Sequence, residues 1–412
     1  MGRQLVPATM LSAVTALAVA AVTAALVPLR PAWWQAAIAL AVISGLIPMI
    51  FSVTIRVVPV FARRMWPSLP ALRAKVVLVA AGGWLIWLGR LSGLDPLVAL
   101  GSLLALAGGI TAVVNTKRLF KQPVGPAMAP PSDPMQSKVD AVARPFTRLA
   151  GIWLLVGLAV GVLTAFWRPP VGRWELVWAH ALLLGYVFGT ASGISYHVLS
   201  RWTGTAWRVV APIRWHFWLW AVGLPVMVVA LASGQSLLFA VAGPLQAAAV
   251  LLFIANTAPM VPTLPGPTRW AFAAASTLLA VGVVLGAWFA LVPSLGAQLQ
   301  VAHVALNLFG WAALLVSGAS TFLVPRFAGN PLRWPRLAFA QVAVLATGVV
   351  VAAVGTGWRM LGDGPALVVT LGFGLVALGF VMLATVLGGT FFAPRSGANI
   401  AVVPGRPPKM AT

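Results

Sequence analysis

The sequence has 412 residues, of which 61% are hydrophobic and only 8% are charged, and its formal net charge is +22. A soluble domain covers its surface with about a quarter of charged residues, so this composition excludes a soluble protein. The chain has no cysteine, which excludes disulfides, iron–sulfur clusters and thiolate metal sites.

The apolar runs are long and continuous, and they do not alternate with period two. Since ~20 apolar residues in a helix cross the hydrocarbon core, they predict an all-α polytopic membrane protein. Twelve transmembrane helices are predicted, in chain order, at residues 5–29, 34–55, 74–92, 96–115, 146–167, 174–200, 216–233, 236–258, 269–292, 297–325, 336–356 and 364–388. The first is long for a signal peptide, so we interpret it as a retained anchor.

Two segments are too polar or too rich in proline to cross a membrane. Residues 116–145 contain the stretch QPVGPAMAPPSDP and predict a flexible cytoplasmic linker between the fourth and fifth helices. Residues 389–412 predict a cytoplasmic tail of similar character. Neither segment is expected to form a domain.

The basic residues predict the orientation of the chain. With the N-terminus inside, 22 of the 27 Lys and Arg residues fall in inner segments, and only five fall outside: Arg30, Arg90, Arg168, Arg173 and Arg359. Lys and Arg in short loops are retained in the cytoplasm, so the bias predicts that both termini are cytoplasmic. We therefore expect a multi-pass protein of the inner (cytoplasmic) membrane, with the lipid bilayer as its partner and no nucleic-acid binding.

The second, sixth and tenth helices share a sequence pattern. An offset of 125 matches six residues of the sixth helix with the tenth: Gly185, Ser192, Gly193, Ser195, Arg201 and Gly204. The second helix joins at an offset of 266 from the tenth, through Val58, Pro59, Phe61 and Ala62. The pattern predicts three pseudo-repeats of four helices, at residues 1–115, 146–265 and 266–388. Close packing of small residues in membrane helices is the alternative explanation.

Histidine supplies the main candidates for chemistry. His180 and His303 each follow alanine, in WAHALLLG and VAHVALNLFG, one to two turns inside the outer ends of the sixth and tenth helices. A neutral imidazole commonly binds haem iron, copper or zinc, and ionisable groups in a bilayer are costly and usually functional. A structural hydrogen bond across helices is the alternative.

The spacing of the two histidines is not that of the repeat. They are 123 residues apart, and the difference of two from the repeat offset turns a helix face by ~200°. In a straight alignment they would face nearly opposite sides of their helices. Units packed around a pseudo-threefold axis meet front to back, however, so two non-equivalent positions still predict one shared site.

Four further residues are candidates for supporting roles: Asn307, His197, Tyr186 and Glu175. Asn307 lies one turn after His303 and could orient its imidazole or only pack helices. His197 lies near the inner end of its helix, where contact with headgroups and water is the alternative. His216, among Arg and Trp at the start of the seventh helix, is expected to be interfacial.

The five acidic residues lie away from the predicted membrane centre. Asp133 and Asp140 fall in the linker, and Asp95, Glu175 and Asp363 fall at outer helix ends. Proton-coupled carriers and pumps often use buried ionisable groups, so this distribution argues against proton pumping.

The topology, together with histidines on the sixth and tenth helices, resembles subunit I of the haem–copper oxidases. The segments WAHALLLGYVFGTASGISYHVLSR and VAHVALNLFGWAALLVSGASTFLVPR are similar to its divergent relatives, the NnrS-type nitric-oxide-response membrane proteins. The resemblance implies one haem b or copper held by His180 and His303. It also implies a role in respiratory or nitrogen-oxide metabolism, by binding or electron transfer, with a respiratory or denitrification redox partner.

The chain departs from the oxidase pattern in three places. The second helix has no histidine for a low-spin haem, and the seventh has only His216 where the oxidases have a histidine pair. Leu184 stands where they have a tyrosine four residues after the histidine of the sixth helix. Oxygen reduction with proton pumping is therefore not expected. A permease for a small solute, favoured by the glycine-rich helices and Pro48, and a non-catalytic assembly subunit remain alternatives.

Overall fold

The computed structural model describes residues 4–126, 133–167, 169–360 and 365–394. Within these ranges the chain is helical without strands, and 12 helices are long and apolar enough to cross a membrane. They are α1 Leu5–Ala25, α2 Pro31–Ala62, α3 Leu69–Ser92, α4 Asp95–Leu119, α5 Gln136–Phe166, α6 Trp174–Thr203, α7 Ala211–Ser233, α8 Ser236–Thr263, α9 Gly266–Leu291, α10 Leu299–Ala328, α11 Pro335–Arg359 and α12 Ala366–Phe391. The predicted all-α class with twelve membrane helices is confirmed.

Three helices form the centre of the bundle. The apolar stretch of α2 is 83% buried and those of α6 and α10 are each 61% buried, whereas the other nine spans are 28% to 50% buried. The outer helices pack as neighbours in sequence, and α1 packs on the central α2 and on the last helix, α12. Gly82 of α3 and Gly101 of α4 let two of these helices touch, because a Cβ atom at either would lie 2.6 Å from the other's carbonyl oxygen.

Each central helix contains a π-helical segment. The segments are Leu40–Leu46 in α2, Ala181–Phe188 in α6 and Ala305–Ala312 in α10. The second and third begin 124 residues apart, within one residue of the offset of 125 in the sequence pattern. Such segments are rare in proteins and are frequent at functional sites. They fall in the three helices that share the sequence pattern, while the division into three four-helix units stays a prediction.

The segment between α4 and α5 is shorter than the predicted linker. α4 extends to Leu119 and α5 begins at Gln136, so residues 136–145 are helical. Asp133 fixes the chain just before α5, because its carboxylate accepts hydrogen bonds from the Trp207 amide and the Ser200 hydroxyl, both at 2.9 Å. Residues 127–132, most of the predicted tail and Asp363 lie outside the described residues.

Candidate functional site

His180 lies on α6 immediately before its π segment. Its Nδ1 atom is 2.8 Å from the carbonyl oxygen of Leu176, one turn earlier. A carbonyl only accepts, so Nδ1 carries the proton and the lone pair of the neutral ring is on Nε2. That Nε2 atom makes no hydrogen bond to the part of the chain that the structure describes. His180 therefore presents a free nitrogen donor.

His303 lies on α10 two residues before the π segment and has the same arrangement. Its Nδ1 atom is 3.0 Å from the carbonyl oxygen of Gly282 on α9. The ring lies against Gly286, where a Cβ atom would come 2.6 Å from the imidazole Cε1, and its centroid is 5.6 Å from that of Phe289. Here too Nε2 has no hydrogen-bond partner among the described residues. Because the Gly282 carbonyl belongs to another helix, α9 fixes the direction of the His303 ring.

Asn307 lies beside His303, as its position one turn later predicts. Its amide donates to the His303 backbone oxygen at 2.8 Å and lies 3.4 Å from the ring Nδ1. The amide also fills the space above Gly282, where a Cβ atom would come 2.5 Å from the Asn307 nitrogen. These contacts join α9 to α10 at the point where the His303 ring is held. The role of Asn307 in orienting the imidazole stays a prediction.

His180 and His303 lie on different central helices, α6 and α10, in both cases just before the π segment of the helix. Both rings are partly buried. Measured from the starts of their π segments, His180 and His303 differ by one helical position, which is ~100° rather than ~200°. The π segments therefore reduce the angular difference that a straight alignment predicts.

The donor set near these rings consists of two neutral imidazoles. In the described ranges no three His, Cys, Asp or Glu side chains cluster as metal ligands. Zinc sites generally use three or four protein ligands, and Cu(II) sites take several nitrogen or oxygen ligands. Haem iron takes only its axial ligands from the protein, because the porphyrin supplies four nitrogens. Two imidazoles with free Nε2 atoms fit haem, or a two-coordinate copper, better than they fit zinc.

Glu175 and Tyr186 contribute no hydrogen bond or ring contact to either imidazole within the described residues. Glu175, exposed at the outer end of α6, accepts from Gln35, and Gln35 accepts from Arg90, so three helices are joined there. Tyr186 is buried in the π segment of α6 and packs edge-on against Phe51 of α2, with ring centroids 6.5 Å apart. Their supporting roles stay predictions.

His197 lies at the other end of α6, 17 residues or about 25 Å along the helix from His180. Its Nδ1 is 2.8 Å from the Asp140 carboxylate, and Arg201 binds the same carboxylate through both terminal nitrogens, at 3.0 and 2.6 Å. Phe61 stacks on the His197 ring and lies under the Arg201 guanidinium. This cluster fastens α5 and α2 to α6 and is remote from the His180 and His303 pair.

His216 is fully buried, so the expectation that it is interfacial is wrong. Asn256 donates to the Tyr196 hydroxyl at 3.1 Å, and that hydroxyl lies 2.8 Å from His216 Nδ1. The rings of Phe146, Phe188 and Phe253 surround His216, and its Nε2 atom is buried without a partner in the described structure. Arg214 and Trp215, which precede His216 in the sequence, are typical of an interface and do not predict that His216 is buried.

No protein-family model and no curated protein sequence matches the chain. Forty chains of solved structures match its fold. One is a chain of a heme–copper terminal oxidase dimer solved by cryo-EM, which is 13% identical and superposes with a TM-score of 0.67. The match covers 95% of this chain and 84% of that one. The resemblance to NnrS proteins stays a prediction, and the chain has the fold of the heme–copper oxidase.

Proposed function

We propose that the protein is an integral membrane haem b protein in which His180 and His303 would hold the haem. The observation that supports this most is the matched state of the two rings. Each has Nδ1 held by a backbone carbonyl and Nε2 free. The oxidase-like fold adds a reason to consider haem or copper rather than zinc.

The side chains around the pair would fix the geometry of a bound haem. The carbonyls of Leu176 and Gly282 select one tautomer and orient each ring, and such partners also make a ligating imidazole more basic. Gly286 leaves room for the His303 ring on the surface of α9. Haem, when bound, supplies a one-electron iron couple. The function we propose is electron transfer or binding of a small ligand in respiratory or nitrogen-oxide metabolism.

The positions of the charged residues support a redox role without proton pumping. Asp95 and Glu175 begin α4 and α6 at their outer ends, and Asp133 and Asp140 are at the inner end of α5. None of these four lies at the centre of a span, where a proton relay needs ionisable groups. Both histidines lie toward the outer ends of their helices, so a redox partner would approach from that side.

The absorption spectrum and metal content of the protein purified in detergent test the proposal. We expect a Soret band, about one haem b per chain by pyridine haemochrome, and loss of both in His180→Ala and His303→Ala. His197→Gln is the matched control, since it changes a remote histidine on α6 and should keep the band. Copper in place of haem, lost in the same two variants, would assign the pair to copper.

Absence of both haem and copper after supplemented growth would refute the proposal. A measured solute uptake that is unaffected by His180→Ala and His303→Ala would then favour a permease. Co-purification of a reductase or oxidase with a cofactor-free chain would favour the assembly subunit.

A further inference from the structure

A cavity of about 90 Å³ lies between the three central helices. Its walls include Met49 and Val53 of α2, Ala191 and Ile194 of α6, and Leu315 and Ala319 of α10. The cavity therefore lies at the centre of the helix bundle, and none of the four histidines lines it.

The lining of this cavity is mostly apolar and consists of aliphatic side chains with the rings of Trp202 and Phe272. The hydroxyl-bearing residues among it are Thr190, Ser195 and Ser320, and the Ser320 hydroxyl is directed at the Met49 sulfur, 4.0 Å away. A buried water needs two to four polar partners, and apolar cavities stay dry. The volume is about three times the ~30 Å³ that one water occupies in the liquid. Space of this size and polarity suits a small apolar molecule.

The cavity begins where the π segments end. Val187 and Ala312 belong to the π segments of α6 and α10, and Met49 follows that of α2 by three residues. A π segment carries one more residue than the α-helix it replaces, so it displaces the side chains that follow it. Alanines at 191, 312 and 319 leave the displaced surfaces unfilled. Two independent features, the irregular backbone and the small side chains, thus keep the space open.

We propose that this central cavity is a binding site for a small, uncharged apolar molecule. The site is separate from the histidine pair, and binding there needs no haem or copper. Contacts to such a molecule are dispersion contacts with apolar groups, so xenon is a valid probe of the same space.

Met49 provides a direct reporter. The full chain, labelled with ¹³C at the methionine methyl groups and held in lipid nanodiscs, is titrated with xenon. We expect a methyl shift that saturates with xenon pressure and disappears in Met49→Leu. Met10 is the internal control, because it is as buried as Met49, at 0% and 1% exposed, but does not line the cavity. Absence of a saturable Met49 shift, or an equal shift at Met10, overturns the proposal.

Two variants with a matched control test the location. Ala319→Leu fills the cavity and should abolish the saturable shift, whereas Ala240→Leu makes the same change on an exposed face of α8 and should keep it. Val53→Ala enlarges the cavity and should change the half-saturating pressure even if Ala319→Leu fails to fold. Saturation unchanged in both Ala319→Leu and Val53→Ala overturns the assignment. Because the readout does not involve a cofactor spectrum, its failure is distinguishable from failure of the haem proposal.

Discussion

Replacing Gly286 by alanine tests the histidine pair without touching a ligand. The added Cβ would lie 2.6 Å from Cε1 of His303, whereas ordinary contact begins at 3.4 Å. The ring must therefore move by about 0.8 Å or more. Its Nδ1 is 3.0 Å from the Gly282 carbonyl, and a shift of that size away from α9 takes the pair beyond hydrogen-bond distance.

The expected loss is in cofactor affinity rather than in folding. Removing a hydrogen bond to a ligating imidazole typically costs 10–100-fold in metal affinity, or about 1.4 to 2.8 kcal/mol. Alanine in place of a helical glycine favours the helix by about 1 kcal/mol, which offsets part of the steric cost to the fold. We therefore expect Gly286→Ala to fold and to bind haem at least tenfold more weakly.

Haem titration followed by absorbance, together with thermal unfolding of the haem-free protein, measures the two effects separately. Gly374→Ala on α12 is the matched control, because a Cβ atom there meets no other atom within 4 Å. Wild-type haem affinity and an unchanged spectrum in Gly286→Ala would refute the assignment of His303 as a ligand held by α9. Equal weakening in Gly374→Ala would show that the loss is not local.

Four further predictions concern stability and topology. Asp140→Asn weakens the paired hydrogen bonds to Arg201 and should reduce the free energy of unfolding by about 1 to 3 kcal/mol. A lower melting temperature with little change in cofactor content would be the measured result. Tyr196→Phe leaves His216 Nδ1 unpaired and should cost about 1 to 3 kcal/mol, whereas adding His216→Phe should cost less than the sum of the single changes. Lys75 is buried between Phe51 and Trp66. Lys75→Met removes the cation–π contacts but also the cost of burying a charge, so stability should be unchanged or increased. Clear destabilisation in thermal unfolding would contradict this. Reporter fusions should place both termini in the cytoplasm, and an external terminus would refute the charge argument.

The twelve membrane helices could be predicted from the sequence because lipid imposes the same demand on each of them. Every span must be apolar and helical along its whole length, so composition alone identifies it. His180 and His303 could be selected for a related reason, since a chain with four histidines and five acidic residues has few ionisable groups to place in the bilayer. That the two histidines form one shared site stays a prediction.

The features that the sequence did not predict depend on contacts between distant segments. His216 is buried by Phe146 of α5 and Phe253 of α8, whereas its neighbours Arg214 and Trp215 are typical of an interface. The predicted linker is longer than the observed one. Asp133 holds this segment through contacts with Ser200 and Trp207, which are distant in sequence, so the local sequence does not predict them. The π segments contain ordinary apolar residues, so the sequence did not predict them. The angle of ~200° between the helix faces of His180 and His303 holds only for a continuous α-helix.

Each central helix is also divided by its π segment into two parts that can turn relative to each other. When a π segment moves by one residue along its helix, the residue that it passes turns by ~100° about the helix axis. The residues on either side of the segment keep their register. In α6 and α10 the histidines lie just on the outer side of this point, and most of the cavity wall lies on the inner side. A register shift in either helix would thus re-aim an imidazole and leave the packing of the inner half in place.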